Sequence, residues 1–428
     1  MSIALIVVIV IFVLTFLLRL PIALGMLSAG VFYLLLTGQD IGLVADQVLS
    51  NLFAKDILLA VPLFVFTAMV MNSGKVTDRL FNFANVLVGR WKGGLGHVNV
   101  VASLIFSGMT GSAIADASGL GIMEIDSMRR AGYDDGFSCA ITASSAVIGP
   151  IFPPSIPMVF YAMLSGTSIG ALLLGGMIPG VFIAAALMVY VAIIANIRNY
   201  PKGPRYALRD FIIFTIKAIP ALLTPVILLL GIYTGIMTPT EAGAVAALYA
   251  LVISIFVYRA MGLKELIKVL IETVKTTGSL GLIVGSAFMF SYIVASEHIP
   301  DYFANLLMSI TSNRYVLFLI VNIIFLLLGM FIDTSTITVV FIPMVLPLIQ
   351  MLGIDLVHFG VVIVLNMMVG LLTPPFGMLL FIVSGISGAK LQIIIKESLP
   401  MILVLIIVLF ILTYIPEIIL FLPNLIGK

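Results

Sequence analysis

Two pairs of prolines, Pro153-Pro154 and Pro374-Pro375, lie inside apolar segments of the chain. Because proline lacks a backbone N–H and its ring clashes with the preceding turn, each pair is expected to break a helix. Each break frees backbone carbonyls, at Gly149–Phe152 and Gly370–Thr373, and leaves half-helix ends that carry partial charges. Neutral oxygen ligands of this kind suit a hard, weakly charged cation, so the two breaks are candidate sodium sites.

Two further stretches, Ser107–Asp116 and Gly329–Thr336, combine glycine with small polar residues. Each interrupts a long apolar segment and is expected to be the non-helical tip of a helical hairpin. Within a membrane, unwound backbone occurs only where it is buried in protein or lines a water-filled cavity. Asp116 and Asp333 lie in these tips, and a carboxylate at that depth is by default a candidate functional group. For Asp116, a structural role in bracing the hairpin is an equally good interpretation.

The composition shows which kind of protein must position these residues. Of 428 residues, 62% are hydrophobic and only 9% are charged, and the mean hydropathy is +1.28. A soluble chain has roughly a quarter of its residues charged, so most of this surface must face lipid. Runs such as Ile3–Leu18, Ala218–Met237 and Leu399–Ile415 are long enough, or nearly so, to cross about 30 Å of hydrocarbon as helices. The sequence therefore predicts an all-α polytopic membrane protein.

Basic residues cluster in a few connections between the apolar segments. The clusters are Lys75–Lys92, Arg129-Arg130, Arg198–Arg209, Arg259–Lys275 and Lys390–Lys396. The positive-inside rule places them, together with Arg19, in the cytoplasm. Both termini are then expected to lie on the opposite side of the membrane.

In this topology, two segments enter and leave the membrane on the same side. Gly93–Met128 begins and ends in the cytoplasm, and Tyr302–Met351 begins and ends outside, so each is predicted to be a re-entrant helical hairpin. Leu43–Lys55 and Met261–Thr276 have mixed polar and apolar faces, and we expect them to lie along the membrane interface as two arms.

The hairpin and the proline pair of the first half recur in the second half at the same offset along the chain. Gly108 and Gly329 are 221 residues apart, and so are Gly149 and Gly370. The loop charges predict that the helix with the first proline pair runs outward and the helix with the second runs inward. Two inverted-topology repeats are therefore expected, as in many secondary transporters whose binding sites lie at the membrane midplane.

Three features together resemble the large membrane subunit of tripartite ATP-independent periplasmic (TRAP) transporters, and most of all its sialic acid branch. They are the stretch Gly108–Asp116, the stretch Gly235–Gly243 with its Thr-Pro-Thr-Glu-Ala-Gly sequence, and the two Pro-Pro breaks. The resemblance implies uptake of an organic acid, most specifically sialate, driven by a sodium gradient with at least two sodium ions as co-transported cations. It also implies an elevator mechanism and two partners, which are a small four-helix membrane subunit and a periplasmic substrate-binding protein. The location implied is a bacterial inner membrane, with both termini periplasmic.

An elevator has a transport domain of hairpins and broken helices that slides against a scaffold of the other helices, and the resemblance implies where each lies. The expected division is residues 1–92, scaffold helices and the first arm; 93–164, the first hairpin and broken helix of the transport domain; 165–276, scaffold helices and the second arm; 277–390, the second hairpin and broken helix of the transport domain; and 391–428, a C-terminal transmembrane helix.

The resemblance also implies roles for individual residues. The substrate is expected near Thr110, Ser112, Asp116 and Ser155. The first sodium site is expected at Ser103, Gly108 and Gly149, and the second at Gly329, Asp333, Thr336, Gly370 and Thr373. No arginine lies at either tip, so hydroxyls, amides, half-helix ends and bound sodium would have to hold a carboxylate substrate.

Three alternatives stay open on the sequence alone. The tip residues do not decide between sialate and a C4-dicarboxylate as the substrate. A passive channel is disfavoured because paired broken helices do not form a continuous pore. An intramembrane enzyme is disfavoured because neither a nucleophile–base arrangement nor a metal-ligand spacing such as His-Glu-x-x-His is present. We therefore do not expect an enzyme.

Overall fold

The computed structural model describes residues 2–18, 20–54, 56–72, 74–204 and 206–426. Arg19 and Lys55, on which the topology and the first arm were predicted, lie outside these ranges, as do Met1 and residues 427–428. The described chain folds into α-helices with short connections. In order they are α1 Ile3–Leu17, α2 Ile22–Thr37, α3 Gly42–Phe53, α4 Ala60–Met71, α5 Gly74–Val88, α6 Gly94–Thr110, α7 Ala113–Gly119, α8 Gly121–Arg130, α9 Asp135–Ser145, α10 Ile156–Ser165, α11 Ile169–Ile197, α12 Leu208–Tyr233, α13 Pro239–Val252, α14 Leu263–Ser296, α15 Ile299–Ile310, α16 Arg314–Phe331, α17 Thr334–Met351, α18 Leu356–Leu372, α19 Met378–Ser387, α20 Leu391–Tyr414 and α21 Pro416–Ile426.

Many of these helices are suited to a lipid environment. Among the described residues, seven are long and apolar enough to cross a membrane, or eight if the bent pair Ala60–Met71 and Val76–Val88 forms one span. Exposed leucine, isoleucine, valine and phenylalanine side chains recur along α1, α11, α12 and α20. An all-α protein with multiple membrane-spanning helices is confirmed. The orientation of its ends stays a prediction.

The first hairpin consists of α6, followed by a break at Gly111-Ser112, and then α7 and α8. Gly111 has φ +60°, a left-handed conformation that glycine adopts without steric cost. Ser112 then caps α7, because its Oγ accepts the Ala115 amide hydrogen at 3.4 Å. The break lies inside the predicted tip.

The second hairpin consists of α16 and α17, with its break at Ile332-Asp333. Its predicted start at Tyr302 is wrong, because Tyr302 belongs to the separate helix α15. The chain leaves α15 at Thr311, and Asn313 starts α16 by accepting the Tyr315 amide hydrogen at 2.9 Å. A side-chain cap of this kind fixes where a helix begins.

Two other boundaries differ from the prediction. The first arm is a separate helix, α3, but the second is continuous with the following span, since α14 runs unbroken over 34 residues. At the other end of the chain, α20 stops at Tyr414 and α21 begins at Pro416. The residue before a proline is disfavoured in helical conformation, so one C-terminal helix becomes two.

The Thr-Pro-Thr-Glu-Ala-Gly stretch has a local structural role. The Thr238 amide donates to Glu241 Oε2 at 2.8 Å, and the Glu241 amide donates to Thr238 Oγ1 at 3.3 Å. This reciprocal pair is a capping box, and Pro239 occupies the first turn, where its missing N–H costs nothing. The motif therefore starts α13 at a fixed point.

The two halves interlock through their broken helices. Helix α10, which follows the first proline pair, packs on α17 of the second hairpin, and α19, which follows the second pair, packs on α7 of the first. In the second half, α16 also packs along α18. Their closest approach is between two glycines, where a Cβ built on Gly370 would lie 2.7 Å from the Cα of Gly329.

We predict that Gly370→Ala lowers the thermal stability of the purified protein. The added methyl group cannot fit between α16 and α18, and overpacking of this kind costs about 1–3 kcal/mol. Gly385→Ala is the matched control, because a Cβ at Gly385 meets no atom within 4 Å. Equal melting temperatures for the two variants would contradict the close packing of the second hairpin on α18.

Candidate functional site

A cavity of about 750 Å³ lies between the two hairpin tips. One wall comes from the first tip and its proline break, and another from the second tip with α18 and α19. The remaining walls come from α4 and α14. The polar residues of the lining are Asn72, Thr110, Ser112, Ser118, Glu272, Thr276, Ser279, Asp333, Thr334 and Ser335.

The first tip lies directly on the first proline break. A Cβ at Gly111 would lie 2.6 Å from the Pro154 carbonyl oxygen, and the Ile156 amide donates to the Gly111 carbonyl at 3.4 Å. Ser155 belongs to the break itself, because its hydroxyl donates to the Pro150 carbonyl and accepts the Met158 amide hydrogen at 3.2 Å. The turn and the break therefore hold one another in place.

The second tip is organised by Asp333, which caps α17. Its Oδ2 accepts the Thr336 amide hydrogen at 3.0 Å, and its Oδ1 accepts the Thr336 hydroxyl hydrogen at 2.6 Å. The neighbouring residue Thr334 lines the cavity, but its hydroxyl oxygen is buried and has no hydrogen-bond partner among the described residues. The second tip thus places the carboxyl group of Asp333 at the cavity.

The four residues expected at the substrate separate into two pairs. Thr110 and Ser112 line the cavity, whereas Asp116 and Ser155 are not part of its lining. Ser155 is fully buried in the break, and Asp116 is 1% exposed. Neither carboxylate oxygen of Asp116 has a hydrogen-bond partner in the described part of the chain.

The residues of the expected first sodium site each make a different contact. Ser103 donates its hydroxyl to Ser145 at 3.0 Å, while a Cβ at Gly149 would lie 3.2 Å from the Ser112 carbonyl oxygen. Gly108 lies against Pro225 of α12. Gly149 is thus brought to the first tip, and Ser103 lies deeper in the hairpin.

The residues of the expected second sodium site form contacting groups. Gly329 and Gly370 touch at their backbones, and Asp333 and Thr336 are hydrogen-bonded. Thr373 ends α18, where its amide donates to the Gly370 carbonyl at 2.8 Å and its hydroxyl donates to the Val369 carbonyl at 2.6 Å. The Gly370 carbonyl, which was expected to be free, therefore already accepts one hydrogen bond, which leaves it a second lone pair.

Sequence reasoning missed the wall that faces the tips. Asn72 ends α4, and Glu272, Thr276 and Ser279 follow one face of α14. These residues lie far from the tips in sequence and look like an ordinary polar helix face. The described residues that line the cavity include two acids, Asp333 and Glu272, and neither lysine nor arginine.

The sequence profile of the tripartite ATP-independent periplasmic transporter family, DctM component, matches residues 8–418. The chain belongs to this family. The resemblance found in the sequence is therefore confirmed, and this DctM-family protein is a transporter component and not an enzyme.

Relatives of this DctM-family protein include permeases with two kinds of named substrate. The sialic acid TRAP transporter large permease protein of Vibrio cholerae is 44% identical, over 95% of each chain. The C4-dicarboxylate TRAP transporter large permease protein of Pseudomonas aeruginosa is 40% identical, over 86% of this chain and 87% of the relative. Among solved structures, the YdaH transporter of Alcanivorax borkumensis has the same fold, with a TM-score of 0.57 at 15% identity over 86% of this chain and 87% of that one.

We predict that Gly111→Ala impairs both stability and uptake in a membrane reconstitution. The variant requires a left-handed alanine, at about 1–2 kcal/mol, and in addition drives a methyl group into the Pro154 carbonyl. Gly132→Ala is the control, since Gly132 has φ +84° but no atom within 4 Å of its Cβ position. If both variants lose the same amount of stability and keep uptake, the contact between tip and break is not functional.

Proposed function

We propose that this chain is the permease of a TRAP system that takes up an organic acid, most specifically sialate, together with sodium. The observation that supports this most is the cavity enclosed by both hairpin tips and both broken helices. Its volume of about 750 Å³ falls within the range of roughly 300–1,000 Å³ typical of small-molecule sites. Transporters with inverted repeats bind their substrates between the repeats near the membrane midplane, which supports the proposal.

The charges around the cavity support coupling to a cation. An organic acid would enter a space lined by the carboxylates of Asp333 and Glu272, with no basic side chain in the described lining. Glu272 pairs with Lys268 at 3.9 Å outside that lining, so Asp333 carries most of this argument. Like charges that are withdrawn from water repel strongly and need a counter-ion. Sodium ions at the tips and breaks supply that counter-charge, so substrate and sodium bind well only together.

The polar groups of the cavity favour a substrate that is rich in hydroxyls. Thr110, Ser112, Thr276, Ser279 and Ser335 all line the cavity. Hydroxyls donate and accept hydrogen bonds, as a sugar acid requires. A C4-dicarboxylate, with two negative charges and no sugar ring, is the second candidate, which the 40% identity to a named C4-dicarboxylate permease favours.

The cavity wall combines residues of the proposed transport domain with residues of the proposed scaffold, which supports a movement of one against the other. The tips and breaks belong to the proposed transport domain, within 93–164 and 277–390, whereas α4 and the first part of α14, where Glu272 and Thr276 lie, belong to the proposed scaffold. Sliding one against the other would carry the cavity across the membrane. A small membrane subunit and a periplasmic substrate-binding protein complete the proposed system in the inner membrane.

The proposal is tested by uptake into proteoliposomes that contain the chain with both partner proteins. We expect labelled sialate to accumulate only with an inward sodium gradient, and unlabelled sialate to compete better than succinate. Uptake that persists undiminished when the sodium gradient is abolished would indicate a passive channel. Stronger competition by succinate would favour the dicarboxylate alternative.

We predict that Asp333→Asn weakens sodium-dependent uptake without loss of folded protein. Asparagine caps a helix about as well as aspartate, so α17 keeps its start while the cavity loses a charge. Asp355→Asn is the control, because Asp355 caps α18 in the same way, through the amides of Val357 and His358, and lies outside the cavity lining. Unchanged sodium dependence in Asp333→Asn would remove Asp333 from the ion site.

A further inference from the structure

Glu124 is a buried acid in α8 of the first hairpin, away from the cavity lining. It is 1% exposed. Its Oε2 accepts one hydrogen bond, from Asn99 Nδ2 of α6 at 3.0 Å, and its Oε1 has no hydrogen-bond partner among the described residues. An ionised carboxylate needs several donors when it is removed from water, and this one has a single donor.

The donor is held in place by a buried polar network. Asn99 Nδ2 also donates to Thr142 Oγ1 at 2.7 Å, and Asn99 Oδ1 accepts the Ser145 hydroxyl hydrogen at 2.8 Å. Ser145 in turn accepts from Ser103 at 3.0 Å. The network joins α6, α8 and α9, and it reaches Ser103, an expected sodium ligand, only through Asn99 and Ser145.

The basic side chains of α8 lie against groups other than Glu124. On α8 itself, Arg129 donates to Asp135 at 2.7 Å and to the Ser387 carbonyl at 2.9 Å. Arg130 and Asp126 line a separate cavity on the other face of α8, together with Asp78 of α5. None of these groups neutralises Glu124.

The elements packed on α8 offer no counter-charge either. Their titratable groups are His97 of α6, Asp116 of α7, and Asp135 and Cys139 of α9, while α19 has none in its described sequence. Asp116 is itself an acid, buried without a hydrogen-bond partner among the described residues. It therefore offers Glu124 no counter-charge.

The second half of the molecule shows that the fold does not require an acid here. At the positions 221 residues further on, Ile337 and Val345 replace Asp116 and Glu124, and both are buried. There the hairpin is joined to α18 by neutral amides, since Asn366 Nδ2 donates to Asn322 Oδ1 at 2.8 Å. In the second half, the contact between the hairpin and its neighbouring helix therefore forms without an acid.

We propose that Glu124 is a proton-binding site, whose bound proton keeps the first hairpin neutral and joined to α9. The proton resides on the carboxyl group, which is then neutral, and Asn99 keeps the same hydrogen bond to it. Loss of the proton to solvent leaves an uncompensated negative charge beside Asp116, which loosens the hairpin.

Infrared difference spectroscopy on the reconstituted transporter complex tests the proposal directly. At neutral pH the wild type shows the C=O stretch of a protonated carboxyl group, and Glu124→Gln lacks it. Glu265→Gln, which removes an exposed acid at the start of α14, leaves the band unchanged. Carboxylate bands in place of the C=O stretch in the difference between wild type and Glu124→Gln would overturn the proposal.

A second variant and a second measurement distinguish loss of the proton-binding site from misfolding of the variant. Glu124→Asp keeps the acid and shifts the C=O band without removing it. Because the folded protein binds a proton that the unfolded chain releases, stability falls as the pH rises. The melting temperature of the wild type therefore drops between neutral and alkaline pH, and this drop is smaller in Glu124→Gln. Identical pH dependence in the two proteins contradicts a proton on Glu124.

Discussion

The structure depends on one constraint, which is that polar backbone and charge within a membrane must be satisfied by protein. Each hairpin tip exposes unwound backbone, and each proline pair removes hydrogen bonds from a helix. Neither defect is stable alone in lipid. The fold places tip on break, as where Gly111 meets Pro154, so each defect is covered by the other. A polar cavity can then exist between the two tips.

Several features of this arrangement were predictable because they depend on local chemistry. Tandem prolines break helices wherever they occur, and glycine-rich stretches mark turns, so both breaks and both tips were located from sequence. The repeat added a register, which related residues in one half to residues in the other. Helix starts that depend on a side-chain cap were less predictable. Asn313 shortened the second hairpin in this way.

Other features were not predictable because they depend on packing between distant segments. Asp116 was expected at the substrate, but the helix α7 turns it into the protein interior, away from the cavity. Glu272 was not expected, since only the packing of α14 against the tips brings it to the cavity. The network around Glu124 joins residues 25 to 46 positions apart, and no spacing in the sequence marks it.

The account makes one central claim, that an anionic substrate occupies the cavity only with sodium as its counter-charge. Equilibrium binding of labelled sialate to the purified transporter, at constant ionic strength with choline replacing sodium, tests it most directly. The account predicts that sodium raises the affinity for sialate, and that sialate raises the affinity for sodium by the same factor. Equal affinity for sialate in sodium and in choline would contradict it.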